Sequence, residues 1–178
     1  FLSQLMFIEL ELAAMDENGF QQALSDPDFY HFLPWLRRLR AFAPHQLETR
    51  LEQMLVERTP AGRGAWIRLF DETAASLRFA FQGTEVTEAE ILNKLSDPSA
   101  DIRKEAGQSL SGVMQDNQRL FCLILNVIAK DKEIDDRWRG FNRPVSSRNL
   151  ANDVDDATVD ALASAVTARM PDIAHRYY

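Results

Sequence analysis

The chain has 178 residues, a net charge of −7 and an isoelectric point near 5.0. That length suffices for one domain, or one and a part, burying roughly 70% of its unfolded surface without staples. The acidic balance speaks against a nucleic-acid partner, and a single cysteine, Cys122, excludes an internal disulfide. Cys122 lies inside an apolar run and reads as a buried small hydrophobe in a reducing, cytoplasmic compartment. The sequence opens on Phe1 within an apolar-periodic segment, with no basic stretch or cleavage site before it. It closes from Ile173 to Tyr178 in what reads as an unfinished helix. The expectation is one helical region, residues 1–178, cut at both ends from a longer protein.

Leu2, Leu5, Met6, Ile8 and Leu12 have helical spacing, and Asp16-Glu17-Asn18-Gly19 has the chemistry of a turn that ends them. Asp26-Pro27 is a start signal, and Pro34 divides the next pattern into a short turn through Phe32 and a helix carrying Trp35, Leu36, Leu39 and Phe42. Ala43-Pro44 breaks that helix. Leu47, Leu51, Met54 and Leu55 mark another, and Trp66, Ile67, Phe70, Ala74 and Leu77 the one after it. Over residues 77–86 the period changes to two, which predicts one short β-hairpin with Phe79 and Phe81 lying on the helices.

Thr87 and Glu90 form a capping box, and Ser96-Asp97-Pro98 starts a helix whose inner face is Ile102, Ala106, Leu110 and Val113. From Leu120 to Ile128 there is no polar stripe. The run is too short for a bilayer, which needs roughly 20 apolar residues, so it is predicted as a buried central helix. A loop is expected from Arg137 to Ser147, then a helix through Val159, Leu162 and Val166 to Met170, with Pro171 starting another. The fold class is mainly α: a multi-helix lobe with one hairpin.

No catalytic constellation can be assembled. His31, His45 and His175 are far apart, there is no His-Glu-x-x-His and no partner for Cys122, so no residue is assigned as catalytic or as a metal ligand. Asp135-Asp136 and Asp155-Asp156 read as solvated carboxylates, because adjacent helical residues point in different directions. Arg37, Arg38 and Arg40 read as a solvated face beside acidic neighbours. Arg137-Trp138-Arg139-Gly140-Phe141 is different. A Trp between two arginines needs cover, so this stretch either packs on a neighbour or lines a groove.

Several collinear stretches resemble the N-terminal helical region of the oligoendopeptidase F family, zinc peptidases related to thimet oligopeptidase. They are Phe7 to Leu12, PWLRRLRAFAPHQL from Pro34 to Leu47, AWIRLFDETAASL from Ala65 to Leu77, Leu95 to Pro98, AKDKEIDDRWRGFNRP from Ala129 to Pro144, and His175 to Tyr178. The resemblance implies a mostly helical lobe of a metalloendopeptidase that cleaves short peptides in an enclosed cavity. Zinc would be the cofactor of the parent enzyme, held by a His-Glu-x-x-His motif and an acidic residue outside this chain. The fragment alone is then expected to be inactive and to hold no zinc. Its partners would be oligopeptides and the absent catalytic lobe, with self-association through uncovered apolar surface, and neither nucleic acid nor membrane. Arg139, Tyr177 and Tyr178 are the candidates for facing a peptide, since Arg and Tyr can hydrogen-bond an extended backbone. Structural packing remains open for each. The alternative is a stand-alone helical protein-interaction module.

Overall fold

The computed structural model describes residues 2–177, with side chains described for residues 8–174. It divides into two compact units, Phe1–Glu57 with Glu133–Tyr178, and Arg58–Lys132. The fold is mainly α, with one two-stranded antiparallel hairpin among the described residues. Among these residues no helix is long and apolar enough to cross a membrane.

The first unit begins with α1 (Leu2–Ala13) and α2 (Glu17–Ser25). The turn residues after α1 do more than stop it: the Asp16 carboxylate accepts from the Gly19 amide at 2.8 Å and caps α2. Asp26 then caps a 3-10 turn over Pro27–Phe32, and Pro34 sits in the first turn of α3 (Leu33–Phe42). This is the division that Pro34 predicts. Arg40 is half-buried rather than solvated. Its guanidinium donates to the Met15 carbonyl and to Glu17 and lies 5.5 Å above the Phe20 ring, tying α3 back to the α1–α2 corner. Ala43–His45 form a second 3-10 turn, followed by α4 (Thr49–Arg58).

The second unit holds α5 (Arg63–Ser76), β1 (Phe79–Phe81), β2 (Thr84–Val86), α6 (Glu88–Lys94) and α7 (Ala100–Asp116). Phe79 pairs with Val86 and Phe81 with Thr84. Gln82 (φ 49°) and Gly83 (φ 79°) both take the left-handed conformation that a two-residue hairpin turn needs to match strand twist. The hairpin is the centre of the unit's core. Phe79 and Ile91 are fully buried, with Leu77, Phe81 and Ala106 beside them and Ile102, Leu110 and Val113 packed around. Alternation puts both Phe rings on one face, and α6 and α7 cover that face. The Thr87–Glu90 capping box forms as its sequence predicts, with the Thr87 amide donating to Glu90 at 2.7 Å.

Helix α8 (Gln118–Trp138) is not the buried rod its composition suggests. Ile124 is buried, but Leu123 and Leu125 are 50% and 67% exposed, and the Cys122 thiol is exposed too. A helix turns only one stripe toward a small core, and nothing among the described residues covers the other sides. The loop expected from residue 137 is shorter, because α8 runs to Trp138 and α9 spans Ser146–Ala151. Helix α10 (Asp156–Tyr177) passes through Pro171 without ending. Its alanine-rich sequence, among the strongest of helix formers, keeps the helix intact at the cost of one backbone hydrogen bond.

The core predicts two measurable effects. Phe79→Ala should cost about 3–5 kcal/mol, the usual range for emptying an aromatic site. Gln82→Asn should stabilise by up to about 1 kcal/mol, since Asn tolerates the left-handed conformation better. Denaturant unfolding of both variants would check the pair.

Candidate functional site

The site grows from the way α8 ends. Gly140, at φ 74°, lets the chain reverse after Trp138. The Phe141 amide then donates to the Asp136 carbonyl at 2.8 Å and the Gly140 amide to Arg137 at 3.3 Å, closing the helix with a Schellman pattern. That reversal sets the Phe141 ring flat against His45, with centroids 3.8 Å apart and planes 16° from parallel. The ring nitrogen Nδ1 of His45 lies 2.8 Å from the Arg139 carbonyl. A carbonyl only accepts, so Nδ1 carries the proton.

Arg139 is held from several sides. Its Nη1 and Nη2 donate to the two Glu52 oxygens at 2.6 and 3.0 Å, its Nε to Asp135 at 2.8 Å, and Nη1 also to the His45 carbonyl at 3.3 Å. Glu52 is itself 8% exposed and accepts from the Leu47 amide at 2.9 Å. Burial pushes its carboxyl up, but the bonds from Arg139 and Leu47 outweigh that and leave its pKa below the ordinary 4.5. The same pairing with Glu52, and then Asp135, keeps the Arg139 guanidinium charged.

Beyond Gly140 a second polar cluster fixes α9 and the start of α10. Arg143 forms a bidentate pair with Asp160 at 2.8 and 2.7 Å. Asp156 accepts from Ser146 at 2.6 Å and from the buried Asn149 at 2.7 Å, and both bonds hold its pKa low. Asp155 caps α10 by accepting from the Thr158 amide at 2.6 Å, which lowers its pKa as well. Between the two clusters lies an open pocket of about 380 Å³, lined by His45, Phe141, Asn142, Leu150, Val154 and Asp155 among others.

Of the three residues that sequence marks for peptide contact, Arg139 lies in this network. Only the backbone of Tyr177 is described, at the end of α10, and Tyr178 lies outside the described residues. The reading of the paired acids as solvated holds for Asp155, which is exposed, and fails for the other three: Asp136 is 8% exposed, and Asp135 and Asp156 are half-buried in hydrogen bonds. The i, i+4 spacing of Asp135 and Arg139 could have signalled their pair. Nothing local signals Glu52, His45 or Asp160, whose partners are remote in sequence. Trp138 stays 62% exposed, so the Arg-Trp-Arg stretch splits, with Arg139 packing inward and Trp138 uncovered.

Among the described residues no three His, Cys, Asp or Glu side chains converge to hold a metal ion. The described residues therefore do not fit the zinc that the family resemblance implies. Residues 11–79 match the family model described as Oligopeptidase F, an N-terminal region of the M3 peptidases. Neither a curated protein nor a solved structure matches the chain.

Arg139→Met should destabilise this unit by about 3 kcal/mol, because it strands a buried Glu52 carboxylate, and the double variant with Glu52→Leu should recover most of that. The depressed Glu52 pKa also sets the direction with pH. Its contribution is complete above the unfolded value of 4.5 and disappears as pH falls through the lowered folded value. Denaturant midpoints of the wild type and both variants, followed from pH 7 to pH 3, check both.

Proposed function

We propose that this chain is a non-catalytic, N-terminal helical portion of an oligoendopeptidase F-like zinc metalloendopeptidase, which hydrolyses short peptides in an enclosed cavity. The observation that carries this reading is the Oligopeptidase F match over residues 11–79, which runs from α1 through α5 to β1. Two of the segments that resemble that family, Pro34–Leu47 and Ala129–Pro144, meet at the His45–Phe141 stack and the Arg139 network. Interlocked contacts of that kind suit a supporting wall. The sequence has no His-Glu-x-x-His, so the zinc and the residues that activate water would lie elsewhere in the parent enzyme.

In this reading Tyr177 and Tyr178 are the residues proposed to face a peptide. Arg139 is proposed as a positioning residue, because four donated bonds already commit its guanidinium to protein acceptors. The exposed Cys122 thiol suits a reducing compartment, and the cytoplasm is the proposed location. The uncovered stripe of α10, with Leu162, Val166, Met170 and Ile173 between 45% and 65% exposed, would receive the catalytic lobe. That stripe also favours the second reading, a stand-alone helical interaction module.

The isolated chain should cleave no internally quenched oligopeptide and retain less than stoichiometric zinc by elemental analysis. Turnover that persists through repurification would overturn the proposal. Concentrated samples should self-associate through α10, and Val166→Glu should return them to monomer in light scattering. A parent reading frame without His-Glu-x-x-His would leave the interaction module as the better reading.

A further inference from the structure

The pocket beside the His45–Phe141 stack is not absorbed by the scaffold role. Its wall is the stacked aromatic pair, its floor is Leu150 and Val154, and its volume of about 380 Å³ lies at the small end of the range for ligand pockets. That space suits one amino-acid side chain with its attached polar group.

The free polar groups define the ligand. Nδ1 of His45 is committed to the Arg139 carbonyl, so in the neutral ring Nε2 is an acceptor, and it has no protein partner among the described residues. The Asn142 side-chain amide is likewise unpartnered there. The guanidinium of Arg143 is shared between Asp160 and, at 3.6 Å, Asp156, which removes the lining's one cation from use and offsets Asp156. Asp155 has no such cation beside it among the described residues and leaves the lining negative. The start of α10 contributes roughly half a positive charge, too little to cancel that carboxylate. Acceptors and excess negative charge beside an apolar floor call for a donor that is cationic at one end and apolar at the other.

We infer that this pocket binds an ammonium group carried on an apolar body, as at the amino terminus of a short peptide whose first side chain is aliphatic. The apolar body lies against Phe141, Leu150 and Val154. The ammonium meets Asp155, with His45 Nε2 and the Asn142 carbonyl as further acceptors. Choosing a peptide as the carrier rests on the peptidase reading, whereas the ammonium chemistry rests on the pocket alone.

The test is a titration of the full, ¹⁵N-labelled chain with L-leucinamide, N-acetyl-L-leucinamide and Leu-Gly-Gly, followed by NMR. Leucinamide and Leu-Gly-Gly should shift the amides of Phe141, Val154 and Asp156, with dissociation constants on the order of 1 mM. Acetylation removes the charge from the ligand and leaves the protein untouched, and should weaken binding at least tenfold. Asp155→Asn should weaken leucinamide binding several-fold while α10 keeps its cap, since Asn caps as well as Asp. Equal binding of the acetylated ligand, or no shift localised to residues 140–156 at about 20 mM ligand, would overturn the site. Leu-Gly-Gly failing to bind where leucinamide does would overturn the peptide as carrier. None of these results depends on turnover or zinc, so the pocket and the peptidase reading can fail separately.

Discussion

The bidentate pair between Arg139 and Glu52 is the contact on which the rest of the first unit depends. It joins residues 87 positions apart, and its side chains are only 22% and 11% exposed. An ion pair in that setting adds little net stability over an apolar pair of the same shape, but losing one partner is expensive. Its consequence is therefore specificity of arrangement. With Arg139 fixed, its carbonyl is held for His45, Gly140 turns the chain, and Phe141 lands on the imidazole. Further along, Arg143 reaches Asp160 and α9 is tied to the start of α10.

This chain of contacts sets the direction in which its carboxylates are shifted. Among the described residues each acid with a shifted pKa is shifted downward by protein donors: Arg139, Arg143, Ser146, or the amides that open helices. A general acid at neutral pH needs the opposite shift, through burial or a like-charged neighbour. The polar groups here hold α8, α9 and α10 in their arrangement.

The apolar surface tells a related story. The second unit has a closed core in which the two Phe rings of the hairpin are covered by helices. By contrast, α10 carries an apolar stripe that is about half exposed, and α8 exposes leucines on the sides its core does not reach. Helices of that length owe most of their stability in water to packing rather than propensity.

The sequence by itself determined whatever is decided within a few residues. The capping box at Thr87, the break at Pro34, the switch to period two at Leu77 and the helical spacing elsewhere are local, so they could be read directly. Local rules also misled in particular places. Asp16 looked like an ending and also caps a beginning, and Pro171 looked like a boundary inside a helix its alanines keep whole. Only the tertiary structure decided which apolar run is buried and which charges pair. Burial of Phe79 but not Leu125, and the meetings of Glu52 with Arg139 and His45 with Phe141, depend on where remote segments come together in space. No residue's own periodicity or spacing encodes that distance.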